Sequence, residues 1–290
     1  MKNILYFTSY VLFFAVLSSL IFSLLYMQFD EQPMLALNKS IKYGAMLLCG
    51  LFIVPALKIR NLYDRKILGY LEHKTLFIFN ICKGFLISLV IMAPLIYLFK
   101  YFDIRTIDYE LLVFDKYFIY TIIFTLFISF LISIIEESFF RGIMIQKSNN
   151  FITTFFIVLS GSLAYSLFHF IKIPLIISET IYWNTGLIEL LDVFTNFFET
   201  ISYDSALTLL MFGVLLALVR LNLNTISYCI GLHAGFVFTI KIFKQSSSVN
   251  FDSSFYPLLS SHDHFLGNLA TTWITIVLLI YLIYLYKERQ

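Results

Sequence analysis

Residues 117–142, YFIYTIIFTLFISFLISIIEESFFRG, decide how this chain is read. From Tyr117 to Ile135 nearly every position is apolar, and then Glu136, Glu137 and Arg141 follow within six residues. An apolar run of about 20 residues is what a helix needs to cross a hydrocarbon core about 30 Å thick. Ionisable residues at that depth are costly, so they mark a functional site by default. One stretch therefore predicts both the environment of the chain and the position of its chemistry.

The whole composition agrees. The 290 residues are 60% hydrophobic and 13% charged, with mean hydropathy +0.86. Soluble domains carry roughly 25% charged residues. The net charge of +2 is too small for a nucleic-acid partner. Cys49, Cys82 and Cys229 each fall in an apolar run without CxxC spacing, so they read as small packing residues. The abundance of Phe, Tyr, Ile, Lys and Asn fits an AT-rich bacterial genome and carries no chemistry.

Working outward, the apolar runs predict an all-α, polytopic membrane bundle of about eight spans: 4–27, 41–58, 76–99, 117–146, 151–171, 205–221, 224–243 and 267–286. The first run is too long for a signal-peptide core and has no A-x-A-like site after it, so it reads as an uncleaved helix. No internal repeat is visible, which gives an inverted-repeat transporter little support. Loop 58–74 holds Lys58, Arg60, Arg65, Lys66 and Lys74, the densest basic cluster. With eight spans this predicts cytoplasmic termini, in a bacterial inner membrane. Between residues 181 and 201, Leu187, Leu190, Leu191, Phe194, Phe197 and Phe198 recur at helical spacing. They predict an amphipathic helix packed over the protein.

Adjacent residues on a helix point about 100° apart, so Glu136 and Glu137 cannot face one point. Glu137 is four residues before Arg141, and residues at that spacing meet. The economical arrangement pairs Glu137 with Arg141 and turns Glu136 toward a cavity. Only His169 and His233, of five histidines, lie within spans, each on a different helix from the glutamates. Gly231 and Gly235 flank His233 and would admit a close neighbour. A Glu and two His suit water activation: the carboxylate takes a proton and the histidines orient the water or stabilise an oxyanion. The same Glu136, His169 and His233 could instead ligate zinc; no HExxH is present. Helix rise places Glu136 about 18 Å and His169 about 30 Å from the turn at 148–150. For these to meet, the helices must tilt, the 151–154 segment must lie outside the lipid, or the fourth helix must break after Arg141.

These residues resemble the CPBP family of intramembrane proteases, also called the ABI family, which includes CAAX prenyl endopeptidases and bacteriocin-processing or self-immunity proteins. Its EExxxR motif is matched by Glu136, Glu137 and Arg141. Its FxxxH motif is matched at His169, with Tyr165 in place of Phe. Its HxxxN/D motif is matched at His233, with Val237 in place of the polar residue. The resemblance covers about 117–243, leaving 1–116 and 244–290 as flanking helices and loops. It implies that Glu136 activates water, Glu137 pairs with Arg141, and His169 and His233 position water and the oxyanion. Asn222 or Asn224, in the preceding turn, would then substitute for the donor missing at Val237.

The expected function is hydrolysis of a peptide bond in a membrane-associated protein or peptide, with the lipid bilayer as its medium. Val237 motivates a second reading, a non-catalytic member of the same fold serving in bacteriocin self-immunity or as a scaffold. A proton-coupled transporter using Glu136 and His169 is a third.

Overall fold

The computed structural model describes residues 2–28, 36–108, 116–176, 180–288 and 290. The chain forms two compact units, one made of Met1–Asp64 with Ser166–Ile201 and the other of Arg65–Tyr165 with Ser202–Gln290.

The first unit holds α1 (Lys2–Tyr26), α2 (Leu37–Ile59), α6 (Thr185–Thr195) and the single-turn α7 (Phe197–Thr200). Helices in lipid gain little from apolar contact, so small and hydroxyl residues hold them together. Ser18 donates to the Ile41 carbonyl at 2.7 Å, the Tyr26 and Ser40 hydroxyls meet at 2.7 Å, and Tyr10 donates to the Cys49 carbonyl at 2.6 Å. The amphipathic stretch forms as expected but breaks at Asn196. Its α6 packs on α1, where the Gly186 amide donates to Ser23 Oγ at 2.9 Å. Leu190 and Phe197 are buried, whereas Leu191 and Phe198 stay exposed.

The second unit contains α3 (Lys74–Tyr101), α4 (Lys116–Glu137) with a π-helical continuation (Ser138–Met144), α8 (Tyr203–Leu223), α9 (Ser227–Gln245) and α10 (Asn268–Lys287). Most of α5 (Phe151–Phe168) belongs to it, as far as Tyr165. On α4, Thr125, Ser129, Ser133 and Glu137 recur every fourth residue and are all buried. Ile123, Phe127, Leu131 and Ile134 point outward and remain exposed. That is the pattern of a membrane helix, apolar toward lipid and polar toward its neighbours.

Helix α9 is the centre of this unit, packed along α3 and α4. Gly231 and Gly235 make the approach to α3 possible. A Cβ on Gly231 would collide with the backbone of Ile81 and Phe85, and one on Gly235 with Ser88. At the far end of α3, β1 (Arg105–Ile107) pairs antiparallel with β2 (Ser247–Val249). Buried Arg105 latches this end by donating to Ser247 Oγ, the Ser247 carbonyl and the His264 carbonyl at 2.8–2.9 Å. Burial pulls its guanidinium below the usual arginine value, and Asp263 partly offsets that.

The all-α polytopic class holds. Among the described residues seven helices are long and apolar enough to cross a membrane. The predicted seventh span forms as α9 but is not among them. Its Ser227, Gly231, His233, Gly235, Lys241 and Lys244 dilute the apolar run, and ten of its residues from Ser227 to Phe243 are buried. A helix surrounded by other helices has no need to match lipid on every face. The three cysteines are free, with Cys229 buried and Cys82 exposed.

Candidate active site

The site begins where α4 ceases to be an α-helix. At Ser138 the backbone widens into a π-helix that runs to Met144 and then turns extended at Ile145. Such widened turns occur mostly at functional positions. Ser138 Oγ bonds back to the Ile134 carbonyl and to Tyr70 OH, the latter at 2.5 Å. The helix end leaves carbonyls without helical partners. Gln146 Nε2 donates to the Gly142 carbonyl at 2.7 Å and Arg220 Nε to the Arg141 carbonyl at 3.3 Å. The fourth helix thus departs from α geometry three residues before Arg141.

Glu137 is fully buried, and its Oε1 takes two donors. Arg141 Nη1 lies at 3.0 Å and His233 Nδ1 at 2.8 Å. An ionised carboxylate only accepts, so in this contact Nδ1 is the donor, and Nε2 points away from Glu137. Arg141 is 1% exposed and lies over the Tyr165 ring, 4.3 Å from guanidinium carbon to centroid. Its Nη2 reaches the Gly213 carbonyl at 3.4 Å. Tyr165 and Phe212 meet the His233 ring edge-on, with centroids 6.1 and 5.6 Å away. The imidazole is therefore held by one hydrogen bond and two rings.

Glu136 has a different setting from its neighbour. Its side chain is 27% exposed, and Oε2 lies 3.9 Å from His233 Nε2. That gap is beyond hydrogen-bond range, and Glu136 Oε2 is itself buried. The expected Glu137–Arg141 pair is present, but His233 completes it as a triad, so His233 links the buried ion pair to Glu136.

His169 belongs to the first unit. It lies in the turn closing α5, where its amide donates to the Ser166 carbonyl at 3.2 Å. Asn222 and Asn224 are exposed at the turn between α8 and α9. Asn224 adopts the left-handed conformation that ends α8, with φ 55°. Val237 is half-buried, one turn beyond His233.

A catalytic zinc ordinarily takes three protein ligands. Among the described residues no three His, Cys, Asp or Glu side chains form such a group. His233 Nδ1 is engaged by Glu137, which leaves Nε2 and the Glu136 carboxylate as the two donors that converge. Within this unit, two donors face the place a metal would take.

Sequence reasoning missed Arg220. It is 6% exposed, and its Nη2 donates to the Ile67 carbonyl at 2.9 Å while its Nε holds the Arg141 carbonyl. Loop 65–73 is thereby joined to the π-helix. The same loop is held on α9, where the Ile226 amide and Thr225 Oγ1 donate to the Gly69 carbonyl at 3.2 and 3.3 Å. The signal was available: an arginine in the last turn of an apolar helix needs buried acceptors or a route to the surface.

Fold and site together define a polytopic membrane protein that buries a Glu–Arg–His triad beside a second, less deeply buried glutamate. Residues 118–239 match the family model described as Rce1-like, type II CAAX prenyl endopeptidase Rce1-like. The resemblance to the CPBP/CAAX proteases is thus confirmed over that segment, which contains Glu136, Glu137, Arg141, Tyr165, His169 and His233. No curated protein and no solved structure matches the chain.

Proposed function

We propose that the protein is an intramembrane endopeptidase that cleaves a membrane-associated protein or peptide with water activated by Glu136. The observation that carries this is the 3.9 Å separation of Glu136 Oε2 and His233 Nε2. In this reading a water admitted beside the two atoms with the substrate donates one hydrogen bond to each and keeps a lone pair for the scissile carbonyl. As the tetrahedral intermediate forms, Glu136 accepts the proton and later returns it to the leaving amine. Glu137 and Arg141 keep the Nδ1 proton in place and so fix the tautomer of His233. Tyr165 holds Arg141 from the other side. The resemblance gives His169 the companion role, orienting water or stabilising the oxyanion. Asn222 and Asn224, exposed at the α8–α9 turn, are the side chains that could stand in for the donor missing at Val237.

Glu136→Gln keeps the size of the side chain and removes its basicity. Turnover of a cleaved substrate is expected to fall about 100- to 10,000-fold with KM little changed, and His169→Gln should act in the same direction. Undiminished turnover in Glu136→Gln would remove the base from the mechanism. Because two donors converge where zinc needs three, a chelator such as 1,10-phenanthroline is expected to leave the rate unchanged. Metal-restorable inhibition would contradict this.

Val237 favours a second reading, a scaffold or bacteriocin self-immunity protein of the same fold with weak or absent catalysis. Complementation with Glu136→Ala separates the two. A retained phenotype supports the scaffold, and a lost phenotype in a stably expressed variant supports the enzyme.

A further inference from the structure

Loop 65–73 and the first turn of α3 border a half-open cavity of about 150 Å³ with an almost wholly apolar wall, lined by Arg65, Tyr70, Glu72, Lys74, Phe77 and Ile78. Cavities of that size admit a benzene-sized molecule. Arg65 and Lys74 are exposed, and neither pairs with a carboxylate among the described residues. Glu72 also faces the cavity, but both its oxygens are engaged, Oε1 by Asn80 Nδ2 at 2.7 Å and Oε2 by Ser227 Oγ at 2.8 Å. The Tyr70 and Phe77 rings stack with centroids 5.5 Å apart and give the cavity an aromatic wall. No side chain caps the first turn of α3, so its amides add to the local positive potential. Beside the two cations, exposed Ile78 and Leu76 begin the lipid-facing surface of the helix.

Cations, an aromatic wall and an adjoining apolar flank at the end of a membrane span are the chemistry of an anionic amphiphile. We propose that this apolar cavity takes the upper acyl segment of an anionic phospholipid, with exposed Arg65 and Lys74 as the charged contacts of its phosphate and the chains running past Ile78. Basic pockets at membrane-span ends hold such headgroups. The loop is coupled to the candidate active site at three points. Tyr70 OH bonds Ser138, which directly follows Glu137. Arg220 ties Ile67 to Arg141. The Leu68 carbonyl lies against Gly142, 3.2 Å from where a Cβ would stand. A bound headgroup would therefore stiffen the loop that supports the π-helix, and the lipid acts as a structural cofactor of the site.

The test needs no substrate, so its failure is distinct from failure of the protease reading. The full chain in neutral detergent is titrated with dioctanoyl phosphatidylglycerol, dioctanoyl phosphatidylcholine or sodium phosphate, and adducts are read by native mass spectrometry. Phosphatidylglycerol is expected to bind at least about tenfold more tightly than phosphatidylcholine. Arg65→Gln and Lys74→Gln, both exposed positions, each lower that affinity about fivefold, while exposed Lys287→Gln leaves it unchanged. Circular dichroism of the variants verifies the fold. Equal affinity for the two lipids, or an unchanged affinity in the Arg65→Gln/Lys74→Gln double variant, would overturn the proposal. Sodium phosphate that competes as well as the lipid would assign the cavity to a free anion and also overturn it.

Discussion

At the scale of single residues, two adjacent glutamates have opposite environments. Glu137 is fully buried between Arg141 and His233, and Glu136 is partly open with its carboxylate 3.9 Å from the same imidazole. Breaking a buried pair leaves one charge without compensation, typically a loss of about 3–5 kcal/mol. Substitutions at Glu137 or Arg141 therefore report on folding, and Glu136 alone isolates the chemistry. Val237 occupies the position where the family motif has Asn or Asp. One absent oxyanion donor typically lowers the rate about 100- to 1,000-fold. Val237→Asn is expected to raise kcat, by up to that factor, with unchanged thermal stability. An unchanged kcat would mean that another donor already serves the oxyanion. The Glu137–Arg141 contact was legible from its spacing of four. The hydrogen bond to His233 was not, because it joins residues 96 positions apart.

At the scale of elements, α9 explains most of the arrangement. It carries His233 and packs backbone-close against α3 through Gly231 and Gly235. Gly235→Leu is expected to force the helices apart and destabilise the protein by more than about 1–3 kcal/mol, the usual cost of overpacking, since backbone would have to move. A thermal melt of the detergent-solubilised variant measures this, and a wild-type melting temperature would mean that the α3–α9 contact is not close. Both glycines were readable as an approach point, since only small residues let helix backbones come together in a membrane. The π-helix after Glu137 was not readable. Its residues, Ser138 to Met144, would fit an α-helix equally well, and what holds the widened form is tertiary: Tyr70, Gln146 and Arg220. The polarity of α9 likewise depends on its central position, which hydropathy along the chain does not encode.

At the scale of the whole molecule, long apolar helices make this an integral membrane protein. Were α9 to cross as an eighth helix, both termini would lie on one side. Its 19 residues rise about 28 Å, close to the thickness of a hydrocarbon core of about 30 Å. Reporter fusions are expected to place both termini in the cytoplasm, and termini on opposite sides would show that α9 does not cross. The central claim is that Glu136 activates water for peptide hydrolysis, and mass-spectrometric mapping of new peptide termini tests it most directly. Purified wild-type protein and Glu136→Gln, each reconstituted into vesicles, are incubated with the same solubilised membrane proteome. New termini at discrete sites are predicted with wild type and not with Glu136→Gln. The same termini from both proteins, or none from either, would contradict the account.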